Sequence, residues 1–106
     1  MTKRRNATLR LGDGLIARFR ELRLKATFSE QEMCEWLGGV SMSTVGSWSR
    51  GTRSPGWIMG SRVSKALDYL EQEFRRSAPR LPPPMGIRQH DRLEYVRRVR
   101  KTYPPV

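Results

Sequence analysis

Between Ser29 and Pro55 the chain is interrupted so often that only two short helices fit, with a sharp turn between them. "SEQE" opens the stretch. The Ser29 hydroxyl can accept from the Glu32 amide while the Glu32 carboxylate reaches back to the Ser29 amide, a reciprocal cap that fixes a helix start. Met33 and Leu37 then lie one turn apart, with Cys34 on their flank. Trp36 falls off that line and is expected to be partly exposed. Gly38 and Gly39 stop the helix, because glycine takes the left-handed conformation without a Cβ clash. Ser41 or Ser43 caps the next helix, over about Met42–Arg50. Val45 and Trp48 mark its buried edge, and Gly51 ends it. Pro55 suits the first turn of the helix that follows.

The flanking segments read as further helices. Leu11, Leu15, Phe19 and Leu22 form one apolar stripe, which predicts a helix over about Gly14–Leu24. Met59, Val63, Ala66, Leu67, Leu70 and Phe74 form another, over about Gly56–Arg76. "APRLPPPMG" then favours an extended polyproline spacer, since three consecutive prolines cannot continue a helix. "IRQHDRLEYVRRVRKTY" can form a short helix with Leu93, Val96 and Val99 on one side. That face can pack back on the domain, pair with a twin, or fold on a partner; His90 is expected to be exposed. No strand alternation is visible. The chain is expected to be all-α, a small bundle of four to five helices, with a basic arm (1–10), a domain (11–77), a Pro-rich linker (78–86) and a basic C-terminal extension (87–106).

Charge narrows the partner. The chain carries 21 Lys and Arg against 10 Asp and Glu, a net charge of +11. Residues 1–10 hold four cations and no acid, residues 11–74 balance, and residues 75–106 hold nine cations and two acids. A neutral middle with basic ends resembles a folded module with polyanion-seeking extensions. One cysteine excludes an internal disulfide and fits a reducing cytoplasm. No run is long and apolar enough for a membrane span, and no membrane partner is expected. One His, one Cys and no convergent carboxylate pair leave little for catalysis or metal binding, so neither an enzyme nor a cofactor is expected.

Two short helices crossing at a glycine turn follow the helix-turn-helix plan. Its second helix enters the major groove. Val45 and Trp48 would dock that helix, leaving Met42, Ser43, Thr44, Gly46 and Ser47 as a slender outer face. Ser and Thr can bond bases or phosphates, and Met42 can pack on a thymine methyl.

The stretch resembles the lambda-repressor/Cro-like (XRE) family of DNA-binding domains. The resemblance rests on the capped Ser29, a small Cys34, Leu37-Gly38, Val40-Ser41, Ser43-Thr44, Val45, Trp48 and the exit from Gly51 through Pro55. It covers about residues 11–74. Gly39 is one glycine more than the family pattern, and Ser49 stands where the family usually has Glu. The resemblance implies a motif core of Met33, Cys34, Leu37, Val45 and Trp48, and a base-reading face of Met42, Ser43, Thr44 and Ser47. Gln31, Arg50 and Arg53 would hold the DNA backbone, with Lys3, Arg4 and Arg5 as an arm into a flanking minor groove. The function implied is a sequence-specific transcriptional repressor in the bacterial cytoplasm or nucleoid. It would act as a homodimer on a palindromic operator by promoter occlusion. Small members of this kind are common in phages, plasmids and toxin–antitoxin operons. An architectural or complex-assembly protein of packaging, partition or recombination is the alternative, with 87–106 recruiting a protein partner or RNA.

Overall fold

The structure, a computed structural model, describes the chain over residues 11–106, and its side chains from Gly14 onward. The expected arm, with Lys3, Arg4 and Arg5, lies outside the described residues, as does the Leu11 side chain. Five helices and no strand occur among the described residues: α1 (Leu11–Ala26), α2 (Glu30–Leu37), α3 (Met42–Arg50), α4 (Trp57–Phe74) and α5 (Gln89–Arg100). None is long and apolar enough to cross a membrane.

The apolar spacing of α1 does what its period dictates. Leu15, Phe19, Leu22 and Ala26 are buried, and Ile16 joins them. The helix extends beyond the expected Leu24 and ends on Thr27, whose φ of 56° is left-handed. The Thr27 amide donates to the Leu24 carbonyl at 3.0 Å and the Phe28 amide to Arg23 at 3.1 Å. Those two bonds satisfy carbonyls that a helix end otherwise leaves open. A β-branched residue in this conformation carries steric cost.

α2 is the centre of the molecule. Glu32, Met33, Cys34, Trp36 and Leu37 are all buried along its 8 residues. Helices α3, α4 and α5 all pack against it. Trp36 is therefore not partly exposed; its exposure is 0%, because α5 and Tyr103 close the flank that a lone amphipathic helix would leave wet. The Trp36 indole N–H donates to the Ala66 carbonyl on α4 at 2.8 Å, which satisfies its polar end.

α4 starts at Trp57 with Gly56 as its cap, so Pro55 precedes the cap rather than occupying the first turn. The expected bounds of Gly56–Arg76 shorten accordingly, while the helix remains unbroken over 18 residues.

The C-terminal third differs most from its expectation. Residues 78–86 are not a free spacer: Leu81 and Pro83 are buried, and the Tyr95 hydroxyl donates to the Arg80 carbonyl at 2.7 Å. Residues 87–106 are not a detached extension either. Of the three fates open to the Leu93/Val96/Val99 face, the structure takes the first: Val96 and Val99 are buried in the common core, with Leu93 half-buried. Arg92 pairs with Glu32 at 2.8 Å and Arg97 with Glu35 at 3.1 Å. The Arg100 guanidinium donates to the Trp36 carbonyl at 2.8 Å and lies over the Trp36 and Tyr69 rings. Arg80 pairs with the buried Glu73 at 2.7 Å, and the Tyr103 hydroxyl donates to the same carboxylate at 2.8 Å. His90 is exposed as expected.

Glu32 and Glu73 are each 0% exposed. Burial alone would push both carboxyls up; Arg92 with Ser29, and Arg80 with Tyr103, more than offset it and hold them below the usual carboxylate value. A carboxyl lowered by folding contributes stability above its unfolded pKa, and the contribution is lost as pH falls through the folded value. The thermal midpoint is expected to hold at neutral pH and to fall steeply below about pH 4. Glu32→Gln should flatten that fall in melts followed by circular dichroism; an unchanged acid limb would remove Glu32 from this role. Thr27→Gly is expected to raise stability in urea by about 0.5–1 kcal/mol, since glycine relieves the left-handed strain at some cost in chain entropy.

Candidate nucleic-acid interface

The turn between α2 and α3 is built by both glycines. Gly38 has φ 91° and Gly39 has φ 99°, so two consecutive residues take a conformation that side chains rarely adopt. The Gly38 amide donates to Glu35 and the Gly39 amide to Cys34, at 3.2 and 3.1 Å. The extra glycine thus completes the end of α2 rather than lengthening a loose loop. Ser41, not Ser43, then caps α3, accepting from the Thr44 amide at 3.3 Å. Gly51, φ 77°, ends α3 by the same device, with Thr52 donating to the Ser47 carbonyl at 3.0 Å.

Met33 and Val45 are fully buried, with Leu37 and Trp48 at 3% exposure. Trp48 meets Phe19 edge-on, at 5.9 Å between ring centroids. Cys34 is buried among them, and burial pushes its thiol up, away from the reactive thiolate.

Of the expected reading residues, Met42 and Ser43 are exposed and Thr44 and Ser47 half-buried. The Ser47 hydroxyl donates to the Ser43 carbonyl at 3.0 Å, leaving its oxygen free to accept. The Thr44 hydroxyl lies 2.8 Å from that of Ser41, within the cap. Ser43, Thr44, Ser47, Arg53 and Pro55 rim one hollow of about 240 Å³ between α3 and the start of α4. The structure therefore brings three of the four reading residues and one backbone-contact residue together. Gln31 and Arg50 are exposed outside it.

Gly46 does not belong to the outer face. It is buried, and a Cβ there would stand 3.1 Å from the Arg50 guanidinium and 3.3 Å from the Glu30 carboxylate. Those two side chains fold over the helix at this point, so the slenderness serves the side toward Glu30 of α2.

Two arginines of α1 hold the end of α3 and carried no motif signal. Arg23 donates to the Ser49 hydroxyl at 2.7 Å and to the Phe28 carbonyl at 3.0 Å; Arg20 donates to the Ser49 carbonyl at 3.0 Å. Cations are favoured at a helix C-terminus, where the unpaired carbonyls concentrate negative charge. Ser49 fits this arrangement because its short hydroxyl reaches Arg23.

One informative signal in the sequence is hidden by averaging. From Trp36 through Leu67 the chain holds Arg50, Arg53, Arg62 and Lys65 and no acid at all. The acids that balance residues 11–74 lie outside this run, and Glu32, Glu35 and Glu73 are engaged with α5 or the segment before it. Conversely, five of the nine cations in 75–106 are engaged in the body: Arg76, Arg80, Arg92, Arg97 and Arg100. Basic character that looked terminal is thus partly structural, while α3 and the start of α4 contribute no acid of their own and Glu30 of α2 lies over Gly46 beside Arg50.

Comparison with protein-family models, curated proteins and solved structures returned no match.

Gly39→Ala is expected to cost about 1–2 kcal/mol in urea unfolding through its φ alone, since nothing lies within 4 Å of the new Cβ. Gly39→Asn should cost less, because Asn tolerates left-handed backbone better. Equal losses from the two would indicate a lost contact rather than backbone strain.

Proposed function

We propose that the chain is a sequence-specific double-stranded DNA-binding regulator of the lambda-repressor/Cro-like kind. The observation that carries this reading is the α2–α3 pair. Two short, fully capped helices are held by Met33, Leu37, Val45 and Trp48, and the second, which carries no acid of its own, presents small hydroxyl residues outward. In this reading α3 lies in the major groove. Ser43, Thr44 and Ser47 bond base edges, and Met42, half exposed, packs on a thymine methyl. Arg53, Arg50 and Gln31 hold phosphates, and Lys3, Arg4 and Arg5 extend the contact into a flanking minor groove.

One such module spans few base pairs. A homodimer on a palindrome doubles the footprint, with half-sites about 34 Å apart. Occupancy of a promoter then represses by exclusion. The architectural alternative draws less support, because the segment it assigns to a partner is folded into the core through Val96, Val99 and Arg100.

Selection of bound sites from random duplexes tests the proposal. A palindrome with one helical turn between half-sites is expected. Uniform binding with a steep salt slope would overturn sequence-specific regulation in favour of an architectural role. Against the selected site, Ser47→Ala should relax base preference, whereas Arg53→Ala should weaken all sequences alike and lower the salt slope by about one.

A further inference from the structure

The exposed face of α4 begins at the rim of the hollow beside α3. Trp57 is 79% exposed and Ile58 75%, adjacent on the first turn of an 18-residue helix. Scattered apolar residues on a surface are ordinary; two large neighbours at one helix start form a patch that asks for a partner. Exposed Arg53 precedes the pair, and Ser61, Arg62 and Lys65 continue the same face, all exposed. The first acid on this helix is Asp68, three turns on and already paired with Arg18. The first turn holds no acid, and Gly56 supplies no side-chain cap to its amides.

These features choose between occupants. A second copy seated on this face would set Arg53, Arg62 and Lys65 against one another, and the acids beside them, Asp68 and Glu35, are already paired with Arg18 and Arg97. A phosphate-bearing strand answers all three, and the helix start adds amide donors and positive dipole. Pro55 and Gly56, the residues just before the pair, line the hollow that also holds Ser43 and Ser47.

We propose that Trp57 and Ile58 form an apolar contact with the DNA backbone beside the half-site. In this arrangement the indole lies against deoxyribose while Arg53, Arg62 and the first amides of α4 take the adjoining phosphates. The inference rests on the DNA-binding reading above and adds a non-reading anchor to it.

Tryptophan fluorescence tests it directly. Trp36 and Trp48 are buried, at 0% and 3% exposure, so the acrylamide-accessible emission belongs to Trp57. Titration with the selected duplex, and with a mixed-sequence duplex, is expected to protect that emission from acrylamide. Trp57→Ala should weaken both duplexes about tenfold, with base preference, circular dichroism and sedimentation unchanged. Trp57→Phe should recover most of the loss. Duplex binding that leaves Trp57 fully quenchable would overturn the inference alone. A changed sedimentation of Trp57→Ala without DNA would assign the face to a second copy and overturn it as well. Failure of the unmodified protein to bind any duplex would overturn the DNA reading, and this inference with it.

Discussion

The carboxylate of Glu32 closes the start of α2 and anchors α5 at once. It accepts from the Ser29 amide at 3.0 Å, the near half of the helix cap, and from the Arg92 guanidinium at 2.8 and 3.0 Å, some 60 residues along the chain. Gln89 adds a longer bond at 3.4 Å. A buried carboxylate is tolerated only when its oxygens are answered, and removing one partner leaves an unpaired charge in a dry site. The local signal that begins the motif helix is therefore tied to the packing of the C-terminal third. Arg92 also donates to the Thr27 carbonyl at 2.8 Å, so the end of α1 is drawn into the same node.

Glu73 repeats the logic, with Arg80 and Tyr103 converging on it from the segments before and after α5. Between the two nodes, Arg100 is buried without a carboxylate among the described residues. Its donors are met by the carbonyls of Trp36, Tyr103 and Pro104, and its flat faces by Trp36 and Tyr69. A guanidinium suits such a place better than an ammonium would, because it is planar, weakly hydrated and stacks on rings. The outcome is a rigid back for α2. The surface around α3 faces the other way, with Met42, Ser43, Arg50 and Arg53 exposed. Arginines expected in a polyanion-seeking extension thus hold the scaffold, while Arg50, Arg53, Arg62 and Lys65 stay exposed in the acid-free run from Trp36 to Leu67.

Local chemistry made much of the α2–α3 unit legible. The Ser29–Glu32 cap, the glycine stops and the Val45–Trp48 edge are short-range patterns, each with one dominant conformational solution. The residues around the hollow were legible for the same reason: a nine-residue helix with one apolar edge leaves its small hydroxyl residues outside. Trp36, Gly46 and the arginines at Ser49 were not legible. Helical periodicity reports one buried face, whereas α2 is packed by α3, α4 and α5, and Trp36 is enclosed by Ala66 of α4, Phe28 and Tyr103. Gly46 looked like an outer residue until Glu30 and Arg50 closed over it.

The sequence by itself determined the helical class, the closely spaced starts and stops of α2 and α3, and the residues that can stand on the exposed side of α3. These follow from period and capping, which act within one or two turns. Tertiary structure alone decided that the proline-rich stretch and the last helix belong to the core, that their arginines answer Glu32, Glu35 and Glu73, and that Trp57 stands exposed next to Gly56, which lines the α3 hollow. Ion pairing and burial act between atoms brought together by folding, over separations of up to 60 residues for Glu32 and Arg92, and no local pattern carries that information.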